Sequence, residues 1–486
     1  MNALKKTLFA TLITAALLLP FIILISAILF TPKVYENTFS AGLNEKFDRL
    51  CSIEEEKIII VGGSSVAFGI DTPLMEEHLG RQVVNFGLYA ALGTKLMLDL
   101  SRANINEGDI VILAPELDPQ TLSLYFSSEH TLEALDDDYS MAHYIRGDAK
   151  LSLLGGLWKH AGKKLSYIKA GIPDPTGVYN SKSLNEYGDV KYEQTDSNGN
   201  ILWERRENVM QLYYDPAKLI TLTEDIISPE FIDYLNEYIS FCERRGATVC
   251  FSYCPMNRLA IAEGTSEEDI SAFTDHLEKS IECEFISYID SYIINEGYFY
   301  DTNFHLNEAG VLLRTKTLIE DIMLYTGEYT SVDIKVPEPP ALKDADIKFQ
   351  GDDENAKYFT YEKLANGSLV ITGLTDLGKT METLTIPLGS DHIKVTAIGE
   401  NAFSEGICKT VIVTEGTNLR NFLDKSFDST TVTDLFIYYN FTDESEKLAP
   451  ASNFYGITIH VPEGSQYLTH YDWNDTSGGY KMVVIK

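Results

Sequence analysis

An apolar, β-branched run, Ile58-Ile59-Ile60-Val61, ends abruptly in Gly62-Gly63-Ser64-Ser65. A continuous apolar run without polar alternation suits a strand buried on both faces, as in a parallel sheet. Two glycines then permit a tight turn, and Asp71 or Thr72 followed by Pro73 reads as the N-cap and first position of a helix. The fragment therefore predicts a strand, a turn and a helix start. It presents a serine hydroxyl at the carboxyl edge of a sheet, where open α/β folds bind their ligands.

The same alternation recurs along the chain. Further strands are expected at 83–86, 110–113, 247–253 and 284–289, and helices at 73–79, 92–104, 229–245, 267–279 and 307–325. Strands and helices of these lengths in turn predict a three-layer α/β/α domain, a flavodoxin-like parallel sheet with helices on both faces, spanning 33–326. Residues 117–225 break the alternation with aromatic pieces and polar turns such as Asp196-Ser197-Asn198-Gly199-Asn200, and read as an insertion over the sheet edge. A linker is expected over 327–357, stiffened by Val336-Pro337-Glu338-Pro339-Pro340. From 358 to 486 the chain is β-rich and repetitive. Phe403 and Phe427 are 24 positions apart (427 − 403), as are Ile412 and Phe436 (436 − 412). One short strand per unit at that period predicts a small solenoid, with a β-sandwich as the alternative.

Lys5 and Lys6 precede an uncharged, apolar segment at 7–30. It is longer than a signal-peptide core of about 7–15 residues and long enough for the roughly 20 needed to cross a bilayer. The expectation is a signal anchor over 1–32, with the lysine side cytoplasmic and the body extracytoplasmic; a cleaved signal peptide would also put the body outside. The chain as a whole is acidic: 39 Lys and Arg against 72 Asp and Glu leave a net charge of −33. Such a charge disfavours nucleic acid and anionic lipid headgroups as partners. Six cysteines are scattered without zinc-like spacing and read as free thiols, and no cofactor motif is present.

The second constellation of interest is Tyr298-Phe299-Tyr300-Asp301-Thr302-Asn303-Phe304-His305-Leu306-Asn307, just before the last helix of the α/β domain. In a doubly wound sheet this loop ends at the same edge as Ser64. A serine nucleophile needs a base, usually histidine, and the histidine needs an acceptor to hold its tautomer. Ser64, His305 and Asp301 supply those three types. The plainer alternative is that His305 only caps the helix or bonds within the interior. A carboxylate–His metal site is a further alternative, without ligand spacing to support it.

These motifs resemble the SGNH/GDSL hydrolase superfamily. Gly62-Gly63-Ser64 resembles its first block, with Gly63 in place of Asp, and the register favours Ser64 over Ser65. Val84-Asn85-Phe86-Gly87 resembles the second, and the last block matches through His305. The resemblance implies Ser64 as nucleophile and the N–H groups of Ser64 and Gly87 as oxyanion-hole donors. It also implies an Asn donor in the third block, where this chain has Ala114-Pro115-Glu116; Asn85 and Asn257 remain as substitute candidates. Asp301 stands four residues before His305, where the family has three, and Thr302 takes that nearer place. The C-terminal phrases Ile386-Pro387 and Val395-Thr396-Ala397-Ile398-Gly399-Glu400-Asn401-Ala402-Phe403 resemble BspA-like leucine-rich repeats of bacterial surface proteins. Together these resemblances imply a membrane-anchored serine esterase or acyltransferase acting on acyl, foremost acetyl, esters of envelope glycans. The alternative expectation is a catalytically degenerate surface protein whose repeats bind a protein or glycan.

Overall fold

Five parallel strands form the central sheet of the computed structural model: β1 (Lys57–Gly62), β2 (Gln82–Gly87), β3 (Ile110–Ala114), β4 (Thr248–Phe251) and β5 (Glu284–Phe285). Their spatial order is β2-β1-β3-β4-β5, a doubly wound order in which the chain reverses direction across the sheet beside β1. The structure describes residues 3–30, 33–136, 138–172, 177–210, 212–340, 348–351, 353–364, 366–441, 446–474 and 479–485. The helices up to the insertion are α1 (Ala3–Phe30), α2 (Gly42–Ser52), α3 (Ser64–Gly69), α4 (Thr72–Leu79) and α5 (Thr94–Ser101). The insertion contributes α6 (Ser128–Ala134) and α7 (Asp148–Ala170), and the remaining helices of the domain are α8 (Pro229–Glu243), α9 (Glu267–Ser280) and α10 (Glu308–Thr326).

Strand periodicity sorts the apolar residues onto two cores. Ile59, Val61, Val84, Phe86, Val111 and Leu113 pack with α2, α5, α8 and α9 on one side. Ile58, Ile60, Val83, Ile110 and Ile112 pack with Met75 of α4 and with Leu318, Ile319 and Ile322 of α10 on the other. The sheet is thus covered on both faces, as the unbroken apolar runs require. Beyond the insertion the expected helices are found within a residue or two, but the strand expected at 284–289 is cut to two residues because the chain turns into a 3-10 segment at Ile289–Tyr292.

Two regions differ from expectation. The start of the expected linker is part of the domain: Val332 and Ile334 are buried in the α10 core, and the Tyr298 hydroxyl donates to the Pro337 carbonyl at 3.0 Å. Residues 341–347 of that linker lie outside the described residues. The insertion, for its part, does more than cover an edge. Its Asp196 to Asn200 turn closes an antiparallel hairpin between Glu193–Thr195 and Ile201–Glu204, and its residues 188–190 reach back to α3, where the Val190 N–H donates to the Ala67 carbonyl at 2.9 Å.

The C-terminal region is a coil built on two sheets. In one, Thr383–Thr385, Thr410–Val413, Asp434–Ile437, Thr458–Pro462 and Lys481–Ile485 pair in parallel in that order, with Ile412, Phe436 and His460 in register. In the other, Leu369–Leu374, Ile393–Ile398 and Asn421–Phe422 pair in parallel, with Phe359–Lys363 and Gly389–Ser390 added antiparallel, so the expected one strand per unit is exceeded. Its core is its own and includes a stack in which Phe427 lies between Phe403 at 5.2 Å and Phe454 at 5.5 Å.

At the other end, α1 carries an 18-residue window, Thr11–Ile28, with mean hydropathy 2.5 and little of it covered by protein. This helix is long and apolar enough to cross a membrane. All six cysteines are free thiols; four are buried, but Cys51 is exposed and Cys283 partly so.

Candidate functional site

The carboxyl ends of β1, β2 and β3 meet in register, Gly62 beside both Gly87 and Ala114. Close approach is the reason for glycine here. A Cβ at Gly62 would lie 2.4 Å from the Ala114 carbonyl oxygen, and one at Gly87 would lie 2.4 Å from the Gly63 carbonyl oxygen. Gly87 therefore packs directly against the serine turn. Gly63 acts as N-cap of α3, whose first residue is Ser64. This one-and-a-half-turn helix was not expected from sequence, which placed the helix start at Asp71. Asp71 is a cap too, accepting from the Leu74 N–H at 3.1 Å, but of the following helix, α4.

Ser64 and Ser65 differ in surroundings. Ser64 keeps 7% exposure. Ser65 is fully buried: its carbonyl accepts from Arg314 Nη1 at 2.6 Å and its hydroxyl meets no partner. Both serines are buried, and of the two only the Ser64 hydroxyl has a hydrogen-bond partner, Glu116.

His305 reaches this site by a curled loop. Thr302 Oγ1 accepts from the His305 N–H at 3.0 Å and the Phe304 N–H at 3.2 Å, a local turn that tightens the chain between Asp301 and His305. The additional residue is thereby absorbed, and Asp301 Oδ1 lies 2.9 Å from His305 Nδ1. Because an ionised carboxylate only accepts, the hydrogen of that bond is assigned to Nδ1. Tyr179, from the insertion, donates to Asp301 Oδ2 at 2.6 Å and lies 3.2 Å from Nδ1. Nε2 is the nitrogen that neither partner engages. The imidazole stacks flat on Phe68, with centroids 4.0 Å apart and planes 2° from parallel. Phe68 is four residues after Ser64 on α3, and side chains at that spacing share one helix face, the later one leaning over the earlier turn. Stacking on Phe68 therefore puts the imidazole on the Ser64 face of α3.

The insertion fastens these two parts together. Arg205, fully buried, donates from Nη1 to the Phe68 carbonyl at 2.7 Å and to the Leu306 carbonyl at 2.6 Å, and from Nε to the Lys191 carbonyl at 2.8 Å. One guanidinium thus spans α3 and the histidine loop, and it also sits over the Phe68 ring at 5.5 Å. Burial lowers its pKa to about 10, still leaving it charged at neutral pH. Asn303 ties the same loop down from the other side, accepting from the Asp215 N–H at 2.7 Å and donating to the Lys218 carbonyl at 2.7 Å.

The remaining oxyanion candidates are committed elsewhere. Asn85 is fully buried, and its amide donates to the Val66 carbonyl at 3.0 Å and to Asp189 at 2.8 Å, which uses both of its hydrogens. Its side-chain oxygen accepts from Lys46, whose ammonium also reaches the Asn85 and Gly188 carbonyls; burial lowers the Lys46 pKa to about 7 against the pull of Asp189. Asn257 is equally buried; it caps a 3-10 turn and donates to the Tyr213 carbonyl at 2.7 Å. The structure thus spends both amide hydrogens of Asn85, removing it from the oxyanion donors, and ties Asn257 into the scaffold through one donated and one accepted bond.

Glu116 occupies the position they would have served. Its Oε1 accepts the Ser65 N–H at 2.5 Å and lies 3.3 Å from Ser64 Oγ, while Oε2 is buried without a partner. The carboxylate sits on the N-terminus of α3, the place where an anion is favoured. A Cβ on Gly63 would lie 2.0 Å from Oε2.

Tyr179, Phe68 and Arg205 were not singled out from sequence. Only Phe68 left a signal, its spacing of four from Ser64. Arg205, within Glu204-Arg205-Arg206-Glu207, reads as one more surface charge. Among the described residues no group of three potential metal ligands comes together. No family model, no curated protein and no solved structure matches the chain.

Proposed function

We propose that the chain is a membrane-anchored serine esterase or acyltransferase of the SGNH type, working outside the cytoplasm on acyl esters of envelope glycans. The observation that carries this reading is the His305–Asp301 pair, closed at 2.9 Å and stacked on the helix that begins with Ser64. Ser64 Oγ would attack the acyl carbonyl while His305 Nε2 takes its proton. Asp301 stabilises the resulting imidazolium through Nδ1–H, and Tyr179 fixes the carboxylate's other oxygen. The tetrahedral oxygen needs N–H donors at the Ser64 and Gly87 backbone, and Glu116 must turn aside or carry a proton for them to serve it. His305 then gives that proton to the alcohol oxygen leaving the ester, which frees the glycan and leaves acyl-Ser64. Water or a second glycan hydroxyl attacks the acyl carbon, His305 taking its proton and passing it to the departing Ser64 oxygen. The glycan substrate and the bacterial-surface setting come from the family resemblance and from the apolar N-terminal helix.

A second reading rests on Glu116. A carboxylate already seated on the α3 N-terminus suits a site that holds its fold without turning over substrate, the C-terminal coil then carrying a binding role. Fluorophosphonate labelling of the full chain in membranes decides between them. Labelling that disappears in Ser64→Ala, and falls by roughly a hundredfold or more in His305→Ala, supports the enzyme. Persistent labelling in Ser64→Ala removes Ser64 as the nucleophile, and no labelling of the native chain favours the second reading.

A further inference from the structure

Helix α7 of the insertion carries an apolar face that the protein leaves uncovered. Leu151, Leu154, Trp158, Leu165, Ile168 and the adjoining Ile172 are each between 44% and 67% exposed. Successive spacings of 3, 4, 7 and 3 keep the first five on one stripe at about 100° per residue, and Ile172 follows just past the helix end at Gly171. A contiguous apolar stripe of this length is unusual on a chain of net charge −33.

The opposite side of α7 is fastened to the body. Lys163 pairs with Glu133 at 2.5 Å and Glu129 at 3.2 Å, Lys159 pairs with Glu129, and the buried Lys164 pairs with Asp136. His160 and Tyr167 pack on Tyr35 at 5.5 and 5.6 Å. These contacts prevent α7 from rolling its apolar stripe inward.

Its location says what lies against the stripe. Lys164 Nζ donates to the carbonyl of Ile28 at 3.3 Å, and Ile28 is the last residue of the apolar window of α1. Where a spanning helix ends, the headgroup region begins, and tyrosine and tryptophan are at home there. Helix α7 is therefore held at the level of the interface, with Trp158 on its uncovered face.

We propose that α7 is an interfacial helix whose apolar stripe enters the boundary between headgroups and acyl chains of the same bilayer that α1 crosses. This rests on the reading of α1 as a membrane span. The body is then attached along two elements, a spanning helix and a helix lying in the plane, which fixes its orientation to the surface. Insertion to about 5–10 Å is the depth expected for such helices.

The chain has three tryptophans, and only Trp158, 67% exposed, is free to report; Trp203 and Trp473 are buried at 8% and 0%. The full chain is placed in nanodiscs of phosphatidylcholine brominated near the headgroup, and its emission is compared with that of Trp158→Phe. The stripe in lipid predicts that bromine removes roughly half or more of the Trp158 signal, that iodide in the water does not, and that Trp158→Phe abolishes the bromine effect. A Trp158 quenched by iodide and not by bromine overturns the proposal. Protection from both quenchers also overturns it, in favour of a protein occupant; protection lost at one chain per disc identifies that occupant as a second copy. Alkaline carbonate extraction of the full chain from membranes tests the span separately. Release removes the foundation, whereas retention with an unquenched Trp158 sinks the interfacial helix alone.

Discussion

Glu116 and Gly63 form a steric and electrostatic pair at the nucleophile turn. The SGNH pattern has an aspartate where this chain has Gly63, and a side chain there would collide with the Glu116 carboxylate. Two carboxylates in one buried spot would also repel, so the two departures from the pattern belong together. The same geometry makes Glu116 the group most opposed to a developing oxyanion. Replacing it by the isosteric amide substitutes a donor for a fixed negative charge. Glu116→Gln is expected to raise the rate of fluorophosphonate labelling at Ser64 on the order of tenfold or more, since single oxyanion donors carry effects of that size or larger. Unchanged or slower labelling would show that the carboxylate is itself required, for instance to hold Ser65 N–H and the start of α3 in place.

At the scale of elements, the site is α3, the histidine loop and the part of the insertion that clamps them. Arg205 is the clamp. Its removal leaves the Phe68 and Leu306 carbonyls without a donor, and hydrogen bonds to a charged group are worth about 1.5–3 kcal/mol each. Arg205→Met should therefore lower stability by about 3 kcal/mol or more, read as a fall in denaturation midpoint at unchanged slope. Arg205→Lys keeps the charge but loses the planar fork. It is expected to keep more of the stability than Arg205→Met while still slowing Ser64 labelling. Equal labelling by Arg205→Lys and native protein would reduce Arg205 to a structural role.

The same elements show what was legible in the sequence. Strands β1 to β3 declared themselves because a parallel sheet buries both faces, so every residue of Ile58-Ile59-Ile60-Val61 had to be apolar. The Asp71 cap and Pro73 of α4 are local chemistry and were equally visible. Ser64, Asp301 and His305 stood out because their residue types and order suit the proposed chemistry. Helix α3 was hidden because six residues are too few for a period. The clamp was hidden for a different reason: the burial of Arg205 and Tyr179 is decided by distant partners, and their own neighbours in sequence look like surface. Asn85 and Asn257 misled in the opposite way, since an asparagine near a strand end reads alike whether its amide is free or spent on backbone carbonyls.

For the whole molecule, the α/β domain and the C-terminal coil have separate hydrophobic cores. Each can lose cohesion without the other. Phe427, between two other phenylalanines, is the place to test this. Truncating a buried phenylalanine costs about 3–5 kcal/mol, so Phe427→Ala should split thermal unfolding into two transitions, the lower one belonging to the coil. Labelling at Ser64 should be unaffected below the second transition. A single lowered transition with parallel loss of labelling would show that the two cores unfold as one.

The clamp also has a consequence for how the protein comes to life. Ser64 and His305 are 305 − 64 = 241 residues apart, with Arg205 between them. Synthesis at about 5–20 residues per second puts on the order of tens of seconds between the emergence of the serine and that of its base. Through that interval the flat face of Phe68 has no imidazole to cover it and Ser64 lacks its proposed histidine base. On the proposed reading, a half-exported chain is thus chemically silent toward the envelope, and reactivity would begin only when the histidine loop closes over α3.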